Sequence, residues 1–215
     1  MRETVVQTVF DTRIIAIIRG IYGEDALHLA EALAAGGIRL LEVTFDQSRP
    51  ASQEDTLQAI RDIRLQMGDR LLVGAGTVTS PELVEKAADA GALYIISPDV
   101  RIPVISQTRK LGLVSMPGAM TPTEIGSAYD AGADFVKVFP ASNLGSPYIR
   151  AIRAPLNHIP LLAVGGISAG NVQEFLDAGC CGAGVGGNLV NRQWISDGNW
   201  DAVAREARQL MEAAR

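Results

Sequence analysis

A chain of 215 residues, 47% of them hydrophobic and 20% charged, has the size and composition of one soluble globular unit, so a single domain over residues 1–215 is expected. The formal net charge of -5, without any run of lysine or arginine, argues against nucleic acid or an anionic membrane surface as a partner. No apolar stretch reaches the roughly 18 residues of a membrane span, and the opening MRETVVQTVFDTR lacks the order of a signal peptide, so a cytoplasmic location is expected.

Taken in chain order, short β-type runs alternate with helical patterns from one end to the other. The first strand is expected over residues 14 to 19, IIAIIR, and is followed by the helical stretch EDALHLAEALAAG. A second strand at 40 to 44, LLEVT, and a third at 71 to 76 precede the helix of SPELVEKAADAG. Strands at 93 to 97 and 113 to 116 run into the proline turns ISP and MPG, and TPTEIGSAYDAG is the next helix. Residues 135 to 139, FVKVF, form a sixth strand, 161 to 164 a seventh, SAGNVQEFLDAG a helix, and 182 to 185 an eighth strand. The last segment, NWDAVAREARQLMEAAR, reads as a closing amphipathic helix. Helices entered at Ser, Thr or Glu and stopped at Gly, with strands starting roughly 20 to 30 residues apart, describe βα units joined by right-handed crossovers. Eight such units close into a compact (β/α)8 TIM barrel; the alternative is an open doubly wound sheet.

Barrel strands are buried on both faces and should be uninterrupted apolar runs. Three charges break this rule, Arg19, Glu42 and Lys137, each in the C-terminal half of its strand. Alternation puts Leu40, Glu42 and Thr44 on one face and Phe135, Lys137 and Phe139 on another. Facing inward, the charges converge at the C-terminal mouth, where barrel enzymes build their sites. A desolvated lysine has its pKa drawn down from about 10.4, and its neutral amine attacks carbonyl carbon to form an imine. Glu42 is then the proton-shuttling group, and Arg19 grips a substrate carboxylate through two hydrogen bonds. The alternative is a buried Glu42 to Lys137 ion pair that only fixes the barrel.

Paired glycines follow the last two strands, in AVGGISAGN and GVGGNLV. Loops at these two places are the usual phosphate grip of a barrel, because glycine lets backbone N–H groups come close to an anion. They name Gly165, Gly166, Ile167, Ser168, Gly186, Gly187 and Asn188, with tight turns as the alternative. Thr77 in GAGTVTSPE faces the same mouth, and Pro98, Pro117 and Gly118 shape its wall. The adjacent Cys180 and Cys181 suit reduced thiols rather than a disulfide framework. His28 and His158 lie far apart, which does not suit a zinc or two-metal site; magnesium held by carboxylates alone is the alternative to the expectation of no metal and no cofactor.

With these residues assembled, the chain resembles the 2-keto-3-deoxy-6-phosphogluconate (KDPG) aldolases and their phosphogalactonate-specific (KDPGal) relatives. The likeness runs through IIAIIRG, LLEVTF, GAGTV, ISP, MPG, FVKVFPAS, AVGGIS and GVGGNLV in family order. It implies a homotrimeric barrel performing metal-free, Schiff-base cleavage of a phosphorylated 2-keto acid to pyruvate and glyceraldehyde 3-phosphate. By motif, it implies that Lys137 forms the imine and that Glu42 moves protons through a water. Arg19 matches the arginine directed at the substrate carboxylate, Thr77 and Pro98 the pyruvyl end, and the glycine loops the phosphate pocket, with Asn188 replacing a serine. Asp46 stands where some gluconate-type members carry arginine, and Val164 where many carry threonine, which leans toward galactonate-type or dual specificity. The rival readings are cleavage of unphosphorylated 4-hydroxy-2-oxoglutarate, a sugar-phosphate isomerase or epimerase that forms no covalent adduct, and a non-catalytic sugar-phosphate sensor.

Overall fold

The computed structural model describes residues 1–215. Nine strands form one parallel sheet: β1 (Ile14–Arg19), β2 (Leu40–Thr44), β3 (Leu72–Gly76), β4 (Tyr94–Ile96), β5 (Val114–Met116), β6 (Gly118–Ala119), β7 (Val136–Val138), β8 (Leu161–Val164) and β9 (Gly182–Val185). Their order, β5-β4-β3-β2-β1-β9-β8-β7-β6, is that of a nearly closed (β/α)8 barrel. The ninth strand, β6, lies past the expected fifth run of residues 113 to 116, in the segment after Pro117 that the sequence pattern reads as only a turn. Proline has no N–H to donate, and the strands on its two sides serve different neighbours, β5 pairing with β4 and β6 with β7. Two amides draw the seam together: Phe135 N–H donates to the Ser115 carbonyl (3.3 Å) and Lys137 N–H to the Pro117 carbonyl (2.9 Å).

The helices start where the cap residues stand. Ser80 Oγ accepts from Leu83 N–H ahead of the helix Pro81–Asp89. Thr121 and Glu124 exchange side-chain to backbone bonds ahead of Pro122–Asp130, which satisfies donors that a helix start leaves open. Gly91 and Gly132, which close these two helices, take φ of 96° and 98°, a region open to glycine and strained for other residues. The helix after β8 is only Val172–Asp177, shorter than the sequence pattern suggests. The delay has a cause: Asn171 Oδ1 takes the Ser168 N–H (2.9 Å) and its Nδ2 donates to the Gly166 carbonyl (3.0 Å), holding residues 166 to 171 as a loop. No helix is long and apolar enough to cross a membrane.

Two apolar layers result. One lies between the barrel and its helices. The other fills the barrel with Ile15, Leu40, Leu72, Tyr94, Phe135 and Leu162 among its members. An N-terminal helix not anticipated from the sequence, Arg2–Thr12, adds the fully buried Val5 and Val9 to that interior cluster and so plugs the N-terminal end. Arg2 pairs with Asp134, whose other oxygen accepts the Ser115 N–H (2.8 Å), and the Phe10 ring lies 5.3 Å from that of Phe135. With the bottom stopped and the middle packed, the barrel interior opens only at its C-terminal end.

Candidate active site

The interior residues confirm the inward alternation: Leu40 and Phe135 belong to the barrel filling, so Glu42 and Lys137, two residues further on, point into the barrel one layer higher. Glu42 stands level with Ile17 of β1 and Gly74 of β3, and Lys137 level with Gly118 of β6 and Leu162 of β8. The glycines of GAG make this layer possible. A Cβ on Gly76 would lie 1.7 Å from Glu42 Oε1, and one on Gly74 2.2 Å from the Tyr94 ring. Tyr94 therefore forms the floor and the carboxyl lies across Gly76.

Both charged side chains are enclosed, Lys137 at 8% exposure and Glu42 at 2%. Neither takes part in any of the six ion pairs, and Glu42 Oε2 has no hydrogen-bond partner. The picture of a closed structural ion pair is therefore not what this geometry presents. Burial pushes the Glu42 carboxyl up, against the opposing pull of Lys137 and then Arg19. Burial also pushes the Lys137 ammonium down, with Glu42 opposing and Arg19 reinforcing that shift. Each group is biased toward its neutral form, the state in which a lysine is nucleophilic and a carboxyl is a proton donor. Lys137 Nζ lies 5.1 Å from the centre of the Phe139 ring, which stands partly exposed above it.

At the rim, Arg19 Nη2 donates to Thr77 Oγ1 (3.2 Å). Thr77 has φ 57°, a left-handed conformation costing a β-branched residue about 1–3 kcal/mol and held only where the surroundings enforce it. Here Gln47 Nε2 donates to its carbonyl (3.1 Å) and the next amide, Val78 N–H, donates to Ile96 (3.2 Å). Across the mouth, the Pro98 carbonyl would be 2.3 Å from a Cβ on Gly118, so that glycine lets the β6 segment pack directly under Pro98. Asp46 bonds within its own loop, to Ser48 and Arg49. The Ser48 hydroxyl and the Arg49 guanidinium hold its carboxyl down at about 2.

The two glycine loops lie side by side. Asn188 Nδ2 donates to the Ile167 carbonyl (2.9 Å), tying one loop to the other. The backbone N–H groups of Gly165, Gly166, Ile167, Gly186, Gly187 and Asn188 donate to nothing within the chain. Ser168 differs, because its amide is committed to Asn171 and only its hydroxyl is available. A cavity of about 340 Å³ lies between the loops, lined by Ile17, Phe139, Val164 and the glycines. It adjoins one of about 250 Å³ that includes Arg19, Gly186, Gly187 and Arg192. A larger space of about 490 Å³ around Arg13, Gly36 and Met211 is at the plugged end and contains none of the residues above. Sequence reasoning named Arg19, Glu42, Thr77, Pro98, Lys137, Val164 and the glycine loops, and the fold brings all of them to one mouth. It missed Tyr94 and Arg192, which belong to no short motif, and Ile17, which lies within IIAIIRG but carries no chemistry to single it out.

No group of three or more His, Cys, Asp or Glu side chains is placed to hold a metal ion. Burial pushes both adjacent thiols, Cys180 and Cys181, up to about 12, so they are protonated and unreactive at neutral pH.

Comparison with known proteins agrees in one direction. A family model described as an aldolase family, KDPG and KHG aldolase, matches residues 5–206. The 2-dehydro-3-deoxy-6-phosphogalactonate aldolase of Escherichia coli K12 is 38% identical over 177 residues, covering 82% of this chain and 83% of that protein. The KHG/KDPG aldolase of the same organism is 33% identical over 196 residues, covering 89% and 87%. A crystal structure of KDPG aldolase from Legionella pneumophila, with pyruvate captured at low pH as a covalent carbinolamine intermediate, superposes with a TM-score of 0.85 at 30% identity, covering 95% of this chain and 97% of that one.

Proposed function

The chain belongs to the KDPG and KHG aldolase family, and on that premise we propose that it reversibly cleaves a 2-keto-3-deoxy-6-phospho sugar acid to pyruvate and glyceraldehyde 3-phosphate through an imine at Lys137, without a metal. The observation that carries the proposal is a desolvated lysine amine without an ion-pair partner, in the same interior layer as a buried carboxyl with one oxygen unpartnered. The relative captured with pyruvate as a covalent carbinolamine supports the same chemistry.

In this reading the Lys137 Nζ lone pair attacks the C2 ketone and gives a carbinolamine. Glu42, as the neutral acid, protonates the departing hydroxyl, and water leaves as the iminium forms. The resulting Glu42 carboxylate accepts the proton of the C4 hydroxyl. The C3–C4 bond then breaks, its electrons pass into the iminium to give an enamine, and the aldehyde product departs. Glu42 returns the proton to C3, and hydrolysis frees pyruvate and restores the amine. Arg19, braced by Thr77, grips the C1 carboxylate, Pro98 walls the pyruvyl end, and the unpaired amides of the glycine loops receive the phosphate.

Val164, in the pocket wall, has no hydroxyl to read the C4 oxygen, so we assign galactonate-type or dual specificity; the 38% identity to a phosphogalactonate aldolase supports that choice. A cytoplasmic homotrimer is part of the same proposal and rests on the family alone. The test is intact-mass spectrometry after pyruvate and sodium borohydride. Wild type should gain a stable pyruvate-derived adduct and Lys137→Ala should not. A folded, pyruvate-saturated wild type without adduct would overturn the imine and favour the isomerase reading. Turnover of both C4 epimers then settles specificity.

A further inference from the structure

We propose that Arg192 supplies the positive charge that balances the substrate phosphate, and that this residue makes the enzyme prefer phosphorylated over unphosphorylated keto acids. The proposal rests on the aldolase reading above. The two adjoining cavities at the mouth share Ile17, Gly186 and Gly187, and the only charged side chains lining them are Arg19 and Arg192. Arg19 is engaged with Thr77 at the carboxylate end. That leaves Arg192 beside the loop whose Gly186, Gly187 and Asn188 amides have no acceptor. Amide donors orient a phosphate but carry no net charge, whereas a phosphate monoester near pH 7 bears about -1.5 to -2. A guanidinium complements it with both charge and a planar fork of donors.

Nothing inside the chain accounts for this arginine. It is exposed and belongs to none of the six ion pairs, although Asp25 lines a neighbouring cavity with it. Other arginines after the strands are occupied, Arg49 by Asp46 and Arg101 by Asp99. Arg192 also opens the helix Arg192–Ser196, where a positive charge works against the helix dipole. Its position therefore does not serve the local fold, and the anion cavity is what it serves.

The experiment compares wild type, Arg192→Ala and Arg192→Lys in steady-state kinetics on the phosphorylated sugar acid and on 4-hydroxy-2-oxoglutarate. Arg192→Ala should raise KM for the phosphorylated substrate about ten- to a hundredfold, the range for losing a charged hydrogen bond that is partly open to solvent. kcat should hold within about twofold, as for an interaction equally strong in ground and transition states. KM for the unphosphorylated substrate should not move, and Arg192→Lys should recover most of the loss. Inorganic phosphate, titrated calorimetrically, should bind wild type more tightly than Arg192→Ala. Equal KM changes on both substrates, or none on either, would overturn the proposal. Borohydride trapping separates the two ideas: without a wild-type pyruvate adduct the aldolase reading fails, and the phosphate titration still decides the role of Arg192.

Discussion

Lys137 and Glu42 are held where water would serve their charged forms better, and the sign of each shift fixes what this does to stability. The Glu42 carboxyl lies above its ordinary 4.5, so its favourable contribution is complete below that pH and is lost as pH rises through the folded value. The Lys137 ammonium lies below its ordinary 10.5, so its favourable contribution is present above that pH and is lost as pH falls through the folded value. At pH 7 both sit on the unfavourable side. A double variant, Lys137→Met with Glu42→Gln, should therefore be inactive yet more stable at pH 7 by about 1–4 kcal/mol, or about 2–16 °C in Tm for a domain of this size. Calorimetry checks it. A Tm at or below wild type would show that the buried charges carry no penalty.

At the scale of elements, the N-terminal helix closes one end of the barrel. Val5 and Val9, fully buried in the interior cluster, should each lose about 2 kcal/mol on truncation to alanine, read as a lower urea midpoint. The lysine lies at the other end, so Val9→Ala should still trap pyruvate with borohydride under native conditions; loss of trapping would place the plug in the site. This helix was hard to read because it offers the barrel only a thin apolar stripe in a largely polar segment, whereas the strands were legible as apolar runs. Alternation placed Glu42 with Leu40 and Lys137 with Phe135, but because both faces of a barrel strand are buried, only the fold shows that this shared face is the inward one. Pro117 was visible as a turn former, but its effect, a strand on either side serving a different neighbour, depends on pairings that chain order does not show. The same holds for Gly76 against Glu42 and for Arg192 beside Gly186, where the partners are distant in sequence and belong to no common motif.

The molecule as a whole carries a net charge of -5, while its proposed substrate is itself multiply anionic. Capture then depends on local charge at the mouth. Arg49 and Arg101 are offset by Asp46 and Asp99, which leaves Arg19 and Arg192 as the attracting pair. Taking ionic strength from about 0.01 M to about 1 M shortens the screening length from about 30 Å to about 3 Å. kcat/KM for the phosphorylated substrate should fall severalfold over that range, mainly through KM; a flat profile would show that the mouth exerts no net pull. The barrel plug has a further consequence, in time rather than energy. The segment bearing Val5 and Val9 is synthesised well before most other members of the cluster it enters, which include residues as late as Leu162 and Val164. Its binding place does not exist until strands that follow it by about 150 residues have been made and paired, so an early helix docks late in assembly.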